Sequence, residues 1–95
     1  MPIVAVFEFP TESPDKYQQV FEVGGAAITD QPSRLSHVCY RTGEGFVVVD
    51  VWADMASFEA FGPIIGPAAG GAGLDPQPQI FEVEGFMLAD GVRNP

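Results

Sequence analysis

The N-terminal residues 2–9 are apolar at almost every position, and the period of two gives the segment two different faces. One face carries Ile3, Ala5, Phe7 and Phe9, and the other carries Val4, Val6 and Glu8. A strand that is apolar on both sides is typical of the centre of a sheet. We therefore predict a central strand here, covered on both faces.

The next segment has the signals of a helix. Ser13 supplies a capping hydroxyl, Pro14 suits the first helical position, and apolar residues follow at helical spacing. The pair Gly24 and Gly25 predicts the end of this helix. Residues 26–34, which include an Asp-Gln-Pro-Ser sequence, are predicted to form a loop.

A second helix is predicted after Asp54, whose carboxylate can cap it. Its core-facing stripe is Phe58, Phe61 and Ile65. The Gly-Pro pairs at 62–63 and 66–67 are expected to kink or break this helix. The small residues 68–73 are expected to be flexible.

Two further strands are predicted at 35–40 and 46–52, where valine and aromatic residues are frequent, and the intervening Thr-Gly-Glu-Gly predicts a hairpin turn. A last strand is predicted at 79–88. The order is then βαββαβ, a ferredoxin-like α+β fold with an antiparallel four-stranded sheet. Such a sheet has helices on one face only, and its other face would be apolar. We expect a second copy of the chain to cover it, which gives a homodimer that forms a dimeric α+β barrel.

The hairpin turn fixes which residues of its two strands face each other. With a turn at Gly43 and Glu44, paired residues have numbers that sum to a constant, so His37 faces Asp50. One face of the hairpin then carries His37, Cys39, Arg41, Phe46, Val48, Asp50 and Trp52. The other carries Tyr40 and four valines, and we predict that this valine face lies under the helices. The histidine face is predicted to line a cavity between the two subunits.

His37 and Asp50 are the candidate catalytic residues. A carboxylate beside an imidazole fixes the tautomer of the ring and supports the charge that the ring gains on accepting a proton, as a general base requires. The alternative is a buried polar pair that fixes strand register or the dimer interface.

The same face offers candidate substrate-binding residues. Trp52, Phe46 and Phe7 are candidates for an aromatic wall against a flat ligand, and the alternative is that they are core residues. Cys39 is a further candidate, with a structural buried cysteine as its alternative. Arg41 could bind a carboxylate or form a surface ion pair. Tyr17 on the first helix is expected in the core.

The chain has 95 residues, which indicates one domain, and we place it at residues 1–90 with a tail at 91–95. Thirteen acidic and four basic residues give a net charge of −9. Phosphate backbones and anionic membranes would be repelled, so we expect no nucleic-acid or membrane partner. No signal-like N-terminus and no membrane-length apolar stretch is present, so we expect a cytoplasmic protein.

Metals and cofactors are not expected. The chain has one cysteine and one histidine, which supply neither a disulfide nor a multi-histidine zinc site. The glycine-rich residues 70–73 lack the lysine and hydroxyl of a phosphate-binding loop and follow a helix, so no nucleotide is implied.

The stretch 47–54, VVVDVWAD, followed by a helix with Phe58 and Phe61, resembles the signature of antibiotic-biosynthesis-monooxygenase-like domains. The resemblance covers most of the chain and implies a dimeric α+β barrel, with Asp50 and Trp52 lining its pocket. That superfamily includes cofactor-independent monooxygenases, haem-degrading enzymes and lactone isomerases, so the fold does not select an activity. Such domains often have a histidine on the second helix where this chain has Phe61. This departure argues against haem degradation and monooxygenation alike.

Three functions follow from these observations. The first is a cytoplasmic homodimer that binds a hydrophobic or aromatic small molecule and oxidises or isomerises it without a cofactor, with His37 as base and Asp50 as its orienting partner. The second is a non-catalytic binding or accessory protein in which both residues are structural. The third is a ligand-sensing domain that acts on a separate partner.

Overall fold

The structure of the protein, a computed structural model, describes residues 1–87. Its strands are β1 (Ile3–Phe9), β2 (Arg34–Thr42), β3 (Gly45–Trp52) and β4 (Gln79–Glu82), and its helices are α1 (Asp15–Gly24), α2 (Ala26–Thr29) and α3 (Met55–Gly71). Every pairing is antiparallel, and the strand order in the sheet is β2-β3-β1-β4. The ferredoxin-like α+β fold is therefore confirmed, and β1 is a central strand as predicted.

The segment between α1 and β2 differs from the predicted loop. Gly25 has a φ of 59°, a conformation that glycine adopts at little cost, and it separates α1 from the one-turn helix α2. This turn carries the side chain of Ile28 into the core, where 2% of it is exposed. Local sequence did not reveal α2 because four residues are too few for a helical pattern. β2 also begins earlier than predicted, at Arg34.

The predicted break in the second helix is wrong, because α3 continues through Pro63 and Pro67 to Gly71. Both prolines are exposed, so the backbone carbonyls whose helical bonds they remove lie on the side of the helix that water reaches. Phe61, Ala68 and Ala69 are buried on the opposite side. Packing along that side holds the predicted flexible segment in the helix as far as Gly71.

β4 is shorter than the predicted strand 79–88 and ends at Glu82. The end of that prediction and the predicted tail at 91–95 lie outside the described residues. No helix within residues 1–87 combines the length and the apolar character needed to cross a membrane.

The predicted assignment of the two sheet faces is wrong. The face that carries His37, Asp50 and Trp52 lies under the helices of its own chain, where Trp52 packs against Phe58 and Phe61 of α3 at ring-centroid distances of 6.0 and 5.0 Å. We call it the inner face. Four aromatic side chains on it, Phe7, Phe9, Phe46 and Trp52, are buried. They bring more apolar area into contact with the helices than valines would, and this larger burial decides which face the helices cover.

The valine-rich face of the sheet, the outer face, is only partly covered within residues 1–87, with Val47 buried on it. Val38, Tyr40 and Phe81 are 50%, 50% and 54% exposed on it. Register places Val4 beside Val51, and Val6 beside Val49, at its centre. The apolar surface that needs a cover is therefore on the side opposite to the predicted one.

Candidate functional site

The inner face of the hairpin brings His37 and Asp50 together in the predicted register, with the two residues paired across β2 and β3. Their side chains are only 11% and 6% exposed. Nδ1 of His37 lies 2.5 Å from Oδ1 of Asp50. Because an ionised carboxylate only accepts hydrogen bonds, His37 donates through Nδ1–H and keeps Nε2 as an acceptor when the ring is neutral.

Tyr17 of α1 completes a chain of three polar side chains. Its hydroxyl lies 2.6 Å from Nε2 of His37, so the phenol donates to the neutral imidazole. The two rings are nearly parallel, with an interplanar angle of 8° and a centroid distance of 5.9 Å. Phe21 and Phe46 contact Tyr17 edge-on and help to hold its ring. The result is a hydrogen-bonded chain, Asp50–His37–Tyr17, that runs from the sheet to the first helix.

The surroundings of the Asp50–His37–Tyr17 hydrogen-bonded chain favour the uncharged forms of Tyr17 and Cys39 beside the Asp50 carboxylate. Burial, assisted by the nearby Cys39 and Asp50, raises the pKa of Tyr17 to about 12, although Arg34 opposes the shift. Burial and the charge of Asp50 also raise the pKa of the Cys39 thiol. Tyr17 therefore stays protonated near neutral pH and is a hydrogen-bond donor to His37, whereas the Cys39 thiol is a poor nucleophile.

Two cavities meet at the Tyr17–His37 contact. The outer groove, about 390 Å³, lies between the start of α1 and the strand β2, and Cys39, Tyr40 and Arg41 contribute to its wall. The inner cavity, about 60 Å³, lies between the sheet and the helices and is mainly apolar. Tyr17, His37 and Phe46 line both cavities. A ligand in the outer groove would thus contact the Asp50–His37–Tyr17 chain at the end of the groove where Tyr17 and His37 lie.

The structure separates the predicted site residues into four groups. His37 and Phe46 line both cavities, Cys39 and Arg41 line the outer groove, and Phe7 and Asp50 line the inner cavity. Trp52 is fully buried and lines neither of them. Within residues 1–87 its indole N–H meets no acceptor, so Trp52 acts there through packing.

Two residues of the site were not predicted from the sequence. Tyr17 is expected in the core because it belongs to the apolar stripe of α1, and only the docking of that helix brings its hydroxyl to His37. Arg34 falls in a predicted loop, yet it lines the inner cavity. The one signal for Arg34 in the sequence was its position, as a basic residue directly before a strand rich in valine and aromatic residues.

The donor set does not fit an iron porphyrin. His37 is the chain's single histidine, and both of its ring nitrogens are hydrogen-bonded to protein side chains. The raised pKa of Cys39 favours the thiol, whereas a metal binds the thiolate. Within residues 1–87 no three His, Cys, Asp or Glu side chains are grouped as metal ligands. We therefore derive no chemistry through haem or a metal.

Comparison with known proteins identifies the fold. No family model matches the sequence, and no curated protein matches it. The structure is similar to SnoaB, a cofactor-independent oxygenase from Streptomyces nogalater, with 22% identity, 90% of this chain and 94% of that chain covered, and a TM-score of 0.62. It is also similar to a point mutant of MhuD that was solved with two manganese protoporphyrin IX molecules bound per active site. For MhuD the identity is 18%, the coverage 93% and 98%, and the TM-score 0.56.

A third similar structure, from Caulobacter crescentus, is described as an antibiotic biosynthesis monooxygenase. It has 16% identity, covers 90% of this chain and 89% of its own, and has a TM-score of 0.51. The chain thus has the fold of the antibiotic-biosynthesis-monooxygenase-like proteins, as the sequence resemblance implied. At these identities the likeness concerns the fold, and the chemistry must be argued from the site.

Proposed function

We propose that the protein binds a hydroxylated aromatic small molecule in the outer groove and removes a proton from its acidic O–H or C–H group. The observation that carries this proposal is the Asp50–His37–Tyr17 chain, which ends at the groove. The groove volume of about 390 Å³ lies in the usual range for small-molecule sites, roughly 300 to 1,000 Å³. Flat aromatic ligands suit a wall that contains the half-exposed ring of Tyr40.

The proton route follows from the donors and acceptors. The substrate hydroxyl donates to the oxygen of Tyr17, and the phenolic proton of Tyr17 moves to Nε2 of His37 as the substrate proton takes its place. His37 becomes an imidazolium, and the carboxylate of Asp50, which already accepts from Nδ1–H, stabilises the new charge. Tyr17 is unchanged at the end of the step because it gains one proton and loses one.

The substrate anion has two outcomes. Return of the proton to a different atom completes an isomerisation, whereas transfer of electrons to dioxygen completes an oxygenation. The likeness to SnoaB supports the second outcome, because that protein is a cofactor-independent oxygenase. Anthrone is a suitable probe, since its enol tautomer is a hydroxyaromatic compound whose O–H can donate to Tyr17, and loss of that proton gives the same phenolate as loss of a benzylic proton from the ketone. The reaction of anthrone with one dioxygen then gives anthraquinone and one water, with the four electrons accepted by dioxygen.

We further propose that a second copy of the chain covers the outer face. Val38, Tyr40 and Phe81 leave apolar surface exposed there, and two adjacent valine pairs extend it across the sheet centre. Most soluble oligomers are two-fold homodimers, in which the same patch on each subunit forms the interface. Packing outer face on outer face gives the dimeric barrel, leaves the inner cavity of each subunit to its own chain, and brings the second copy against Val38 and Tyr40, which also line the outer groove.

The alternative function is ligand binding without catalysis, which the full hydrogen bonding of His37 also allows. Conversion of anthrone under air, followed by absorbance and oxygen uptake, distinguishes the two functions. We expect conversion by the wild type, a loss of conversion in His37→Ala and no loss in Asp30→Asn, an exposed acidic residue away from the site. Anthrone binding with no conversion and no exchange of its benzylic hydrogen with solvent would establish the non-catalytic alternative.

A further inference from the structure

The outer groove follows the open edge of the sheet. Within residues 1–87, β2 pairs with β3 alone, so the other edge of β2 has no neighbouring strand. The five consecutive residues 37–41 all line the groove. Because successive side chains of a strand point to opposite faces, such a run can line one cavity only where the cavity passes around the edge of the strand. The groove therefore has a wall on each side of the sheet.

The two walls of the groove differ in what closes them. On the inner side the start of α1 contributes Pro14, Asp15 and Gln18. On the outer side the groove is lined by Val38 and Tyr40, which are each 50% exposed. We call these two side chains the outer wall. They belong to the outer face, so a subunit that covers this face also covers the outer wall.

The outer wall is continuous with the centre of the outer face. Val38 pairs with Val49 of β3, and Val49 pairs with Val6 of β1. Neighbouring strands are about 4.8 Å apart, so a subunit that packs on Val6 and Val49 needs to extend only one strand further to contact Val38. Tyr40 is the next residue of β2 on the same face. The interface and the groove are thus parts of one surface.

The outer face is almost free of charge, which favours a second copy of this chain as its cover. Among the described residues, Glu8 is the one charged side chain at the positions that the sheet register assigns to this face. The whole chain has thirteen acidic and four basic residues, so two copies would repel each other across most of their surface. This face is where two copies can approach with little repulsion and bury apolar area on both sides.

We infer that the outer groove is a site shared between two subunits, in which the second copy of the chain completes the outer wall. His37 and Tyr40 are three positions apart on β2, about 10 Å along an extended strand. A fused-ring ligand that donates to Tyr17 therefore extends beside Tyr40 to the interface. Ligand binding and dimerisation then strengthen each other, because the bound ligand buries apolar area against both subunits. The inference rests on the proposed function and adds the second subunit to its site.

The first test compares ligand binding by the dimer and by a monomeric variant. Val6→Lys places a charge at the centre of the outer face, two strands away from β2, and Val6 lines neither cavity. The probe is 2-hydroxyanthraquinone, a phenol of three fused rings, titrated into the full chain by calorimetry. We expect Val6→Lys to bind it about tenfold more weakly than the wild type, a change for which the loss of roughly 55 Å² of apolar contact is sufficient. Val23→Lys, on the exposed side of α1, should bind like the wild type.

The second test needs no substitution, so it remains valid if Val6→Lys fails to fold. Coupling between two binding events is reciprocal, and each dimer contains two grooves. A tenfold gain in affinity at each groove should therefore lower the Kd of the dimer by about a hundredfold when the probe is saturating. Sedimentation of the wild type over a range of concentrations, with and without 2-hydroxyanthraquinone, measures this change.

Equal probe affinity of the wild type and a folded, monomeric Val6→Lys would overturn the inference, as would a dimer Kd that the probe does not change. Tighter binding by the monomer would also overturn it, because the second copy would then block the groove. Each of these results leaves the proposed function in place. Neither test needs turnover, so a dimer that the probe strengthens but that does not convert anthrone would support the shared site and refute only the catalytic function.

Discussion

The hydroxyl of Tyr17 lies 2.6 Å from Nε2 of His37, although the two residues belong to a helix and a strand that are predicted independently. The contact completes the hydrogen-bonded chain Asp50–His37–Tyr17. At the other end of that chain is the carboxylate of Asp50, whose side chain is only 6% exposed. It also forms the boundary between the outer groove and the inner cavity. In the proposed function this one contact sets both the route of proton transfer and the place where a ligand meets it.

The ionisation of Tyr17 should be displaced towards high pH. In a Tyr40→Phe variant Tyr17 is the only tyrosine, so its phenolate absorbance can be followed alone. We expect a midpoint near pH 12, because burial disfavours the charged form. A midpoint near the ordinary value of 10.0 would contradict the burial of this hydroxyl.

The same shift predicts how stability changes in alkali. The folded chain holds the Tyr17 proton more tightly than the unfolded chain does, so its contribution is complete below pH 10 and is lost as the pH rises from 10 to 12. After allowance for partial exposure, we expect a loss of about 1 to 2 kcal/mol. Urea unfolding across this interval should show a smaller alkaline loss for Tyr17→Phe than for the wild type.

Substitution of Asp50 by Asn should slow the reaction while the fold is retained. An amide oxygen can still accept from Nδ1–H of His37, but it provides no negative charge to the imidazolium that forms in the reaction. We expect anthrone conversion to fall by about 10²- to 10⁴-fold. Thermal melting measured in parallel provides the decisive comparison. A lower Tm with unchanged conversion would mean that the pair is structural.

A charge at the centre of the outer face should dissociate the proposed homodimer. Val49 lies beside Val6 there, and a lysine at this position would be buried against its counterpart in the second subunit. We expect light scattering to give twice the 10.1 kDa chain mass for the wild type and the single mass for Val49→Lys. Val23→Lys, at a 57% exposed position on α1, is the matched control and should remain dimeric. A wild-type mass of 10.1 kDa would refute the dimer.

The start of α3 should respond to acid through Asp54. Its carboxylate accepts a hydrogen bond of 2.7 Å from the backbone N–H of Ser57, and this bond lowers the pKa of Asp54. The stabilisation is present above pH 3.8, the ordinary pKa of an aspartate side chain. It is lost as the pH falls through the lower pKa that Asp54 has in the folded protein. Asp54→Ala should lower Tm by several degrees at neutral pH. Asp54→Asn should keep most of the cap and lose this acid dependence.

The pairing of His37 with Asp50 could be predicted from sequence, whereas the location of that pair could not. A short turn determines the register of the strands that it joins, so counting from Gly43 and Glu44 was sufficient. The predicted face is wrong because the valine pattern favours a core and the polar pattern favours a cavity. The structure buries His37 and Asp50 under the helices, where each satisfies the other's hydrogen bonding and Tyr17 completes it.

The sequence by itself determined the order of the strands and of the two long helices α1 and α3, the capping of α3 and the hairpin register, because each depends on residues close together in the chain. Only the tertiary structure decided which sheet face the helices cover, because that choice depends on the total apolar area buried by distant segments. It also decided the positions of Tyr17 and Arg34. The docking of α1 against the sheet places Tyr17, and one additional residue in β2 places Arg34. Neither the docking nor the additional residue produces a periodic pattern in the sequence.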